Sequence, residues 1–264
     1  MDDPLYRQIS VALRRRIEGG ELRAGERLPT EDELIDQHNA SRNTVRAALK
    51  ELVSLNLIET RHGKGSFVVE QVKPIVTTLT LDPATSHGGG EGIVYIAEVA
   101  RSGRHADTGN LRVGIETARG TIADSLRIPD GSDVIARSEW RYIDDRPWSR
   151  QTSFYPWPLS QRAPALLGAQ SIEEGTVAHL RELGIRQAGY QDGIEVRMPD
   201  PDEAKFFGLP DDGRVQVFEI FRVAYDQHGD PFRLTVTVYR ADRNRFLINV
   251  GDVPTNRNLN SDVK

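Results

Sequence analysis

Ser41-Arg42-Asn43-Thr44-Val45-Arg46-Ala47-Ala48-Leu49-Lys50 decides the fold of the first part of the chain. At about 100° per residue, Val45, Ala48 and Leu52 share one side of a helix running to about Leu55. Asn43, Arg46, Ala47 and Lys50 lie on roughly the opposite side. Ser41 stands at the N-cap. Just upstream, Thr30-Glu31-Asp32-Glu33 reads as a capping box, with the Thr30 hydroxyl accepting from the backbone near Glu33 and Glu33 reaching back to the Thr30 N–H. A short helix through Leu34 and Ile35 follows and breaks around His38-Asn39-Ala40. Earlier still, Leu5, Ile9, Leu13 and Ile17 recur every four residues in a helix that stops at Gly19-Gly20. Downstream, the β-prone runs Leu57 to Arg61 and Ser66 to Val69 are joined by His62-Gly63-Lys64-Gly65, whose glycines permit positive φ. Three helices followed by a hairpin, all before residue 70, is the order of a winged helix-turn-helix.

The chain has 264 residues, which suits two domains. Hydrophobic residues make up 38% and charged residues 28%, the balance of a folded globular chain. No apolar run approaches the ~20 residues of a membrane span. The start, Met1-Asp2-Asp3-Pro4, lacks the basic and apolar regions of a secretory signal. With no cysteines, disulfides, thiolate zinc sites and cysteine nucleophiles are excluded, and a reducing cytoplasm is the expected compartment. The net charge of −5 excludes a uniformly basic coat for polyanions. Positive charge is local: residues 38–65 carry Arg42, Arg46, Lys50, Arg61 and Lys64 against only Glu51 and Glu59. Of the 34 basic residues 29 are arginines, a skew in keeping with a GC-rich bacterial genome.

Past a linker expected at 71–80, in which Ile75 to Leu79 is partly strand-like, the pattern is α+β. Strand-like runs occupy Asn110 to Glu116, Asp133 to Ile143, Trp148 to Tyr155, Gly189 to Met198, Val215 to Asp226 and Pro231 to Tyr239. Helical patterns fall at Val94 to Ser102, Ala118 to Leu126, Gly175 to Leu183 and Pro201 to Phe207. Short turns at Asp144-Asp145-Arg146 and at 226–230 imply an antiparallel sheet, with helices expected on one side. Residues 85–92 read as a mobile glycine-rich loop and 253–264 as a disordered tail.

The first 70 residues resemble the winged-helix domain of the GntR family of bacterial transcription regulators. The matching stretches are Pro4-Leu5-Tyr6-Arg7-Gln8-Ile9, Gly25-Glu26-Arg27-Leu28-Pro29-Thr30, the 41–49 segment above, and Leu57 to Val68. The resemblance implies that the third helix enters the DNA major groove and that the wing tip lies at the minor groove. It assigns DNA contact to Thr30, Ser41, Arg42, Asn43, Thr44, Arg46, Lys50, His62, Gly63, Lys64 and Gly65. One departure stands out: Asp32 occupies a position where the family usually has an arginine that helps to contact DNA.

Residues 81–252 resemble, more loosely, the UTRA effector-binding and dimerisation domain of the HutC-type branch, a chorismate-lyase-like fold. Arg141-Tyr142-Ile143-Asp144-Asp145-Arg146-Pro147, Gln151 to Pro156, Ala204 to Pro210 and Tyr239 to Phe246 carry the match. The pocket positions it implies are Arg141, Gln151, Ser153, Glu195, Arg233 and Tyr239. Phosphosugar-binding members tend to have two arginines two residues apart where this chain has Glu139 and Arg141, with Arg137 as a partial substitute. Gln151 and Arg233 stand where sugar-binding members often carry glutamates. These departures predict an anionic effector, held by Arg141 with Arg233 as second candidate. The plainer alternative is that Arg141 pairs with Glu139 or Glu195 inside the sheet.

The expected protein is a repressor that binds a palindromic double-stranded operator as a homodimer under control of a small molecule. No cofactor, metal or membrane partner is expected. The histidines at 38, 62, 87, 105, 179 and 228 show no ligand spacing, and Ser86-His87-Gly88-Gly89-Gly90 precedes no helix of P-loop type. The competing readings are a chorismate-lyase-like enzyme with a DNA-binding arm and a constitutive DNA-binding protein whose second domain only dimerises.

Overall fold

The computed structural model describes residues 3–61, 63–70, 74–80, 89–209 and 215–250. The chain divides into two compact units, 1–73 and 74–264.

In the first unit, α1 (Leu5–Glu18), α2 (Glu31–His38) and α3 (Arg42–Ser54) precede the hairpin of β1 (Ile58–Arg61) and β2 (Gly65–Val68). Both halves of the capping box at Thr30 and Glu33 are made, and the Ser41 hydroxyl accepts from the Thr44 N–H. Asn39, in the left-handed region at φ 48°, ends α2 and turns the chain into α3. The periodic apolar positions converge: Ile9, Leu13, Leu34, Val45, Ala48, Leu52 and Ile58 form one core. Burying each large apolar side chain contributes about 1.5–3 kcal/mol. Gly65 has φ +105°, and a Cβ there would stand 2.8 Å from Arg27 Nε, so the base of the wing requires glycine.

The second unit is built on a six-stranded antiparallel sheet in the order β4-β5-β6-β9-β8-β7. In chain order its elements are β3 (Ile75–Thr78), α4 (Gly92–Arg101), β4 (Ala106–Thr117), α5 (Thr121–Leu126), β5 (Asp133–Ile143) and β6 (Arg146–Pro156). Then come α6 (Leu159–Arg162), a single 3₁₀ turn (Pro164–Leu167), α7 (Thr176–Glu182), β7 (Gln187–Arg197) and α8 (Pro201–Phe207). The unit continues with β8 (Val217–Asp226), β9 (Pro231–Arg240) and, after a 3₁₀ turn at Ala241–Arg243, β10 (Asn244–Leu247). Asp144 and Asp145 both have positive φ, the conformation of a two-residue hairpin between β5 and β6.

Two expectations are corrected. Helices cover both faces of the sheet, not one. Phe154 and Tyr155 are successive residues and so face opposite sides. Phe154 packs with Ala123 and Leu126 of α5, and Tyr155 packs with Leu166 and Leu180. The linker is also shorter than expected. Residues 74–80 belong to the second unit, because β3 pairs in parallel with β10 across almost the whole domain sequence. Of the expected linker, 71–73 lie outside the described residues, as do the tail at 253–264 and residues 85–88 of the expected loop.

Asp200 caps α8 by accepting from the Glu203 N–H at 2.7 Å, a second complete capping box among the described residues. Asp200→Ala is expected to cost about 1 kcal/mol of stability, read from the denaturant midpoint of the second unit's transition.

Candidate functional site

The outward face of α3 presents Arg42, Asn43, Arg46 and Lys50 to solvent, while Val45, Ala48, Leu49 and Leu52 are buried. The Ser41 and Thr44 hydroxyls lie 2.8 Å apart in the first turn. Two of the cations meet acids from the start of α2. Arg42 Nη2 donates to Asp32 at 2.6 Å, and Arg46 Nε donates to Glu31 at 2.9 Å. Asp32 therefore acts on Arg42 directly, a partnership that its position as a replaced arginine did not reveal. Exposed pairs of this kind are worth only about 0.2–1 kcal/mol, so phosphates can compete for both arginines. At the wing, Gly63 (φ +69°) and the exposed Lys64 form the tip, and Arg61 stacks on Phe67 at 4.5 Å. His62 lies outside the described residues.

In the second unit, a cavity of about 260 Å³ opens on one face of the sheet. Five of the seven expected positions line it: Arg137, Arg141, Gln151, Ser153 and Arg233. The alternation of strands explains the grouping, since odd-numbered residues of β5, β6 and β9 share that face. The same rule points to Tyr155 and Thr235, which the sequence reading missed and which also line the cavity. Glu139, Ile96, Thr108 and Leu111 also line it, as do Glu91 and the 171–177 segment, which no periodic signal marks.

Tyr239 is buried beside this cavity, lining a separate void of about 20 Å³ together with Gly90, Glu91 and Gln151. Burial pushes its phenol above the usual tyrosine range. Glu195 is a correction. It is exposed on edge strand β7 and lines neither cavity. Asp192 pairs in register with Arg222 and turns inward, so residue 195, three positions on, points to the other face.

The inward arginines are strongly engaged. Arg141, only 1% exposed, donates from Nε to Glu139 at 3.0 Å and from Nη1 to the Gly90 carbonyl at 2.7 Å, and sits over the Tyr95 ring. Burial alone would depress its pKa, but Glu139, Tyr239 and Tyr95 together outweigh burial and hold it above the usual range. Arg233 forms a close ion pair with Glu91 and donates to Gln187 at 2.9 Å. Arg222 grips Asp192 with two hydrogen bonds, reaches Glu91 at 3.4 Å and donates to the Gly89 carbonyl. Gly89 lies so close to the strand below that a Cβ would fall 2.0 Å from the Thr78 carbonyl. Thus 89–91 forms a strap fastened by three guanidiniums. Glu98 accepts from the Gly90 and Thr78 N–H groups, and burial raises its pKa. Of the two pairings considered for Arg141, the one with Glu139 is observed.

The sequence pattern of bacterial regulatory proteins of the gntR family matches residues 5–68, and that of the UTRA domain matches residues 101–245. The chain belongs to the GntR family of transcription regulators, in the HutC-type branch that carries a UTRA domain. The HTH-type transcriptional repressor PhnF of Mycolicibacterium smegmatis is 27% identical over 243 residues, 91% of this chain and 90% of its own. The repressor NagR of Bacillus subtilis is 26% identical over 251 residues, 92% and 93% of the two chains. The crystal structure of PhnF covers 92% of this chain and 99% of its own at a TM-score of 0.56 and 26% identity. A putative GntR-family regulator of known structure matches in fold at a TM-score of 0.67 and 20% identity, covering 95% of this chain and 99% of its own.

Arg141→Ala leaves Glu139 without its partner and frees the strap carbonyl of Gly90. Breaking a buried ion pair costs about 3–5 kcal/mol, and the partial exposure of Glu139 puts the expected loss near the lower end. Urea unfolding measures it, and adding Glu139→Met to Arg141→Met is expected to recover much of the stability.

Proposed function

We propose that this regulator is a cytoplasmic repressor that binds a palindromic operator as a homodimer and changes its operator affinity when a small molecule occupies the arginine-walled cavity. The observation that carries the reading is the exposed row of Arg42, Asn43, Arg46 and Lys50 on a capped, well-packed α3. Arginine at the start of such a helix pairs with guanine O6 and N7 or with phosphate. One α3 covers a half-site, so twofold symmetry of the protein would match a palindrome. PhnF and NagR, similar along nearly their whole length, are named repressors. The cavity supports effector binding, and the effector must favour one arrangement of the two units over the other to shift DNA affinity. No catalytic role is proposed. Of the four carboxylates that line the cavity, Glu91 and Glu139 are tied to arginines and Glu174 to His179.

Operator titrations at fixed salt test the interface. Arg46→Ala is expected to lose about 1–3 kcal/mol of binding where it reads a base. Asp32→Ala, which releases Arg42, is expected to bind several-fold more tightly. Unchanged affinity in both variants would remove α3 from the interface. Light scattering on the free protein and on its operator complex is expected to give two chains per particle; one chain in both would reject the dimer.

A further inference from the structure

The three arginines of the cavity differ in their counter-charges. Arg141 has Glu139 and Arg233 has Glu91. Arg137 is 7% exposed and has no carboxylate within ion-pair distance among the described residues. It is held by backbone alone: Nη1 donates to the carbonyls of Leu166 at 2.7 Å and Gly168 at 2.8 Å, with a longer contact to Ala165, and Nη2 donates to Gln170 at 3.0 Å. A guanidinium carries five N–H donors. Among the described residues the Nε–H and one Nη2 hydrogen have no protein acceptor; Arg233 Nε lacks one too, but the charge of Arg233 is met by Glu91. Nε and Nη2 flank the same edge of the planar fork, and such an edge takes a carboxylate through two parallel hydrogen bonds. Ser153, whose hydroxyl lies 3.0 Å from that of Thr235, and Tyr155 line the same cavity. Burial pushes the Arg137 guanidinium below the usual arginine range, against the opposing influence of Tyr155 and Glu139.

Of the three arginines on the wall, Arg141 pairs with the partly exposed Glu139 and Arg233 with the buried Glu91, and Arg137 has no ion-pair partner among the described residues. A buried charge without a partner is destabilising, and one negative charge on the ligand offsets it. A second negative charge would find no further unpaired cation on the wall among the described residues and would meet Glu173 and Glu174 at its exposed part. We propose that Arg137, and neither Arg141 nor Arg233, anchors the effector, and that the anchored group is a single carboxylate and not a phosphate ester. The proposal rests on the cavity being the effector site and narrows what that site accepts.

Full-length protein is melted at constant ionic strength with chloride, acetate or inorganic phosphate as the anion. Acetate is expected to raise the melting temperature of the wild type above its value in chloride and in phosphate, and Arg137→Gln is expected to abolish that gain. In case Arg137→Gln does not fold, the wild type carries a second readout. The Arg137 Nε–H resonance, assigned by its absence in Arg137→Lys, is expected to shift saturably with acetate. Greater stabilisation by phosphate, an acetate gain that survives Arg137→Gln, or an Nε–H resonance that does not move would overturn the proposal. Failure of the unliganded wild type to bind any operator would count instead against the regulator reading.

Discussion

Burying a guanidinium on a sheet face is tolerated only when its charge and its donors are met, and the inner face of this sheet carries four. Arg141, Arg222 and Arg233 are met by Glu139, Asp192 and Glu91, and between them they fasten the 89–91 strap across the strands. The strap in turn supplies the wall residue Glu91 and leads into α4. The position of the cavity, its charge and its closure thus derive from one ion-pair network. Arg137 is the exception, since carbonyl oxygens satisfy part of its fork but none of its charge.

The DNA-binding unit is organised differently. Its order comes from local devices: a capping box on α2, a hydroxyl cap on α3 and a left-handed Asn39 between them. These fix the helix ends before any long-range contact is made, and the apolar faces then close on one core. The acids that favour the start of α2 through the helix dipole also lie against Arg42 and Arg46. The same residues therefore stabilise the fold and moderate the charge offered to DNA.

Legibility in the sequence follows the range of the interactions. Caps, the α3 faces, β5, α8 and the Asp144-Asp145 turn depend on neighbours within a few residues, and their signals stand in the sequence. Five of the seven pocket positions that the resemblance implies line the cavity, and strand alternation accounts for their grouping, since it places residues two apart on one face. Glu195 misled because motif matching carries no information on which face an edge strand turns inward. The pairing of β3 with β10 was invisible, since its partners lie about as far apart in the chain as the domain allows.

The sequence by itself determined the class of protein, the winged helix with its cationic face, and the strands that bring arginines to one surface. Each of these rests on local periodicity or on a motif. Tertiary structure alone decided which acid each arginine meets, because an ion pair such as Arg233 with Glu91 joins residues 142 positions apart. It alone decided that Asp32 holds Arg42. It also left Arg137 as the cavity arginine without an ion-pair partner among the described residues, for the physical reason that counter-charge is a property of distance in space and not of order along the chain.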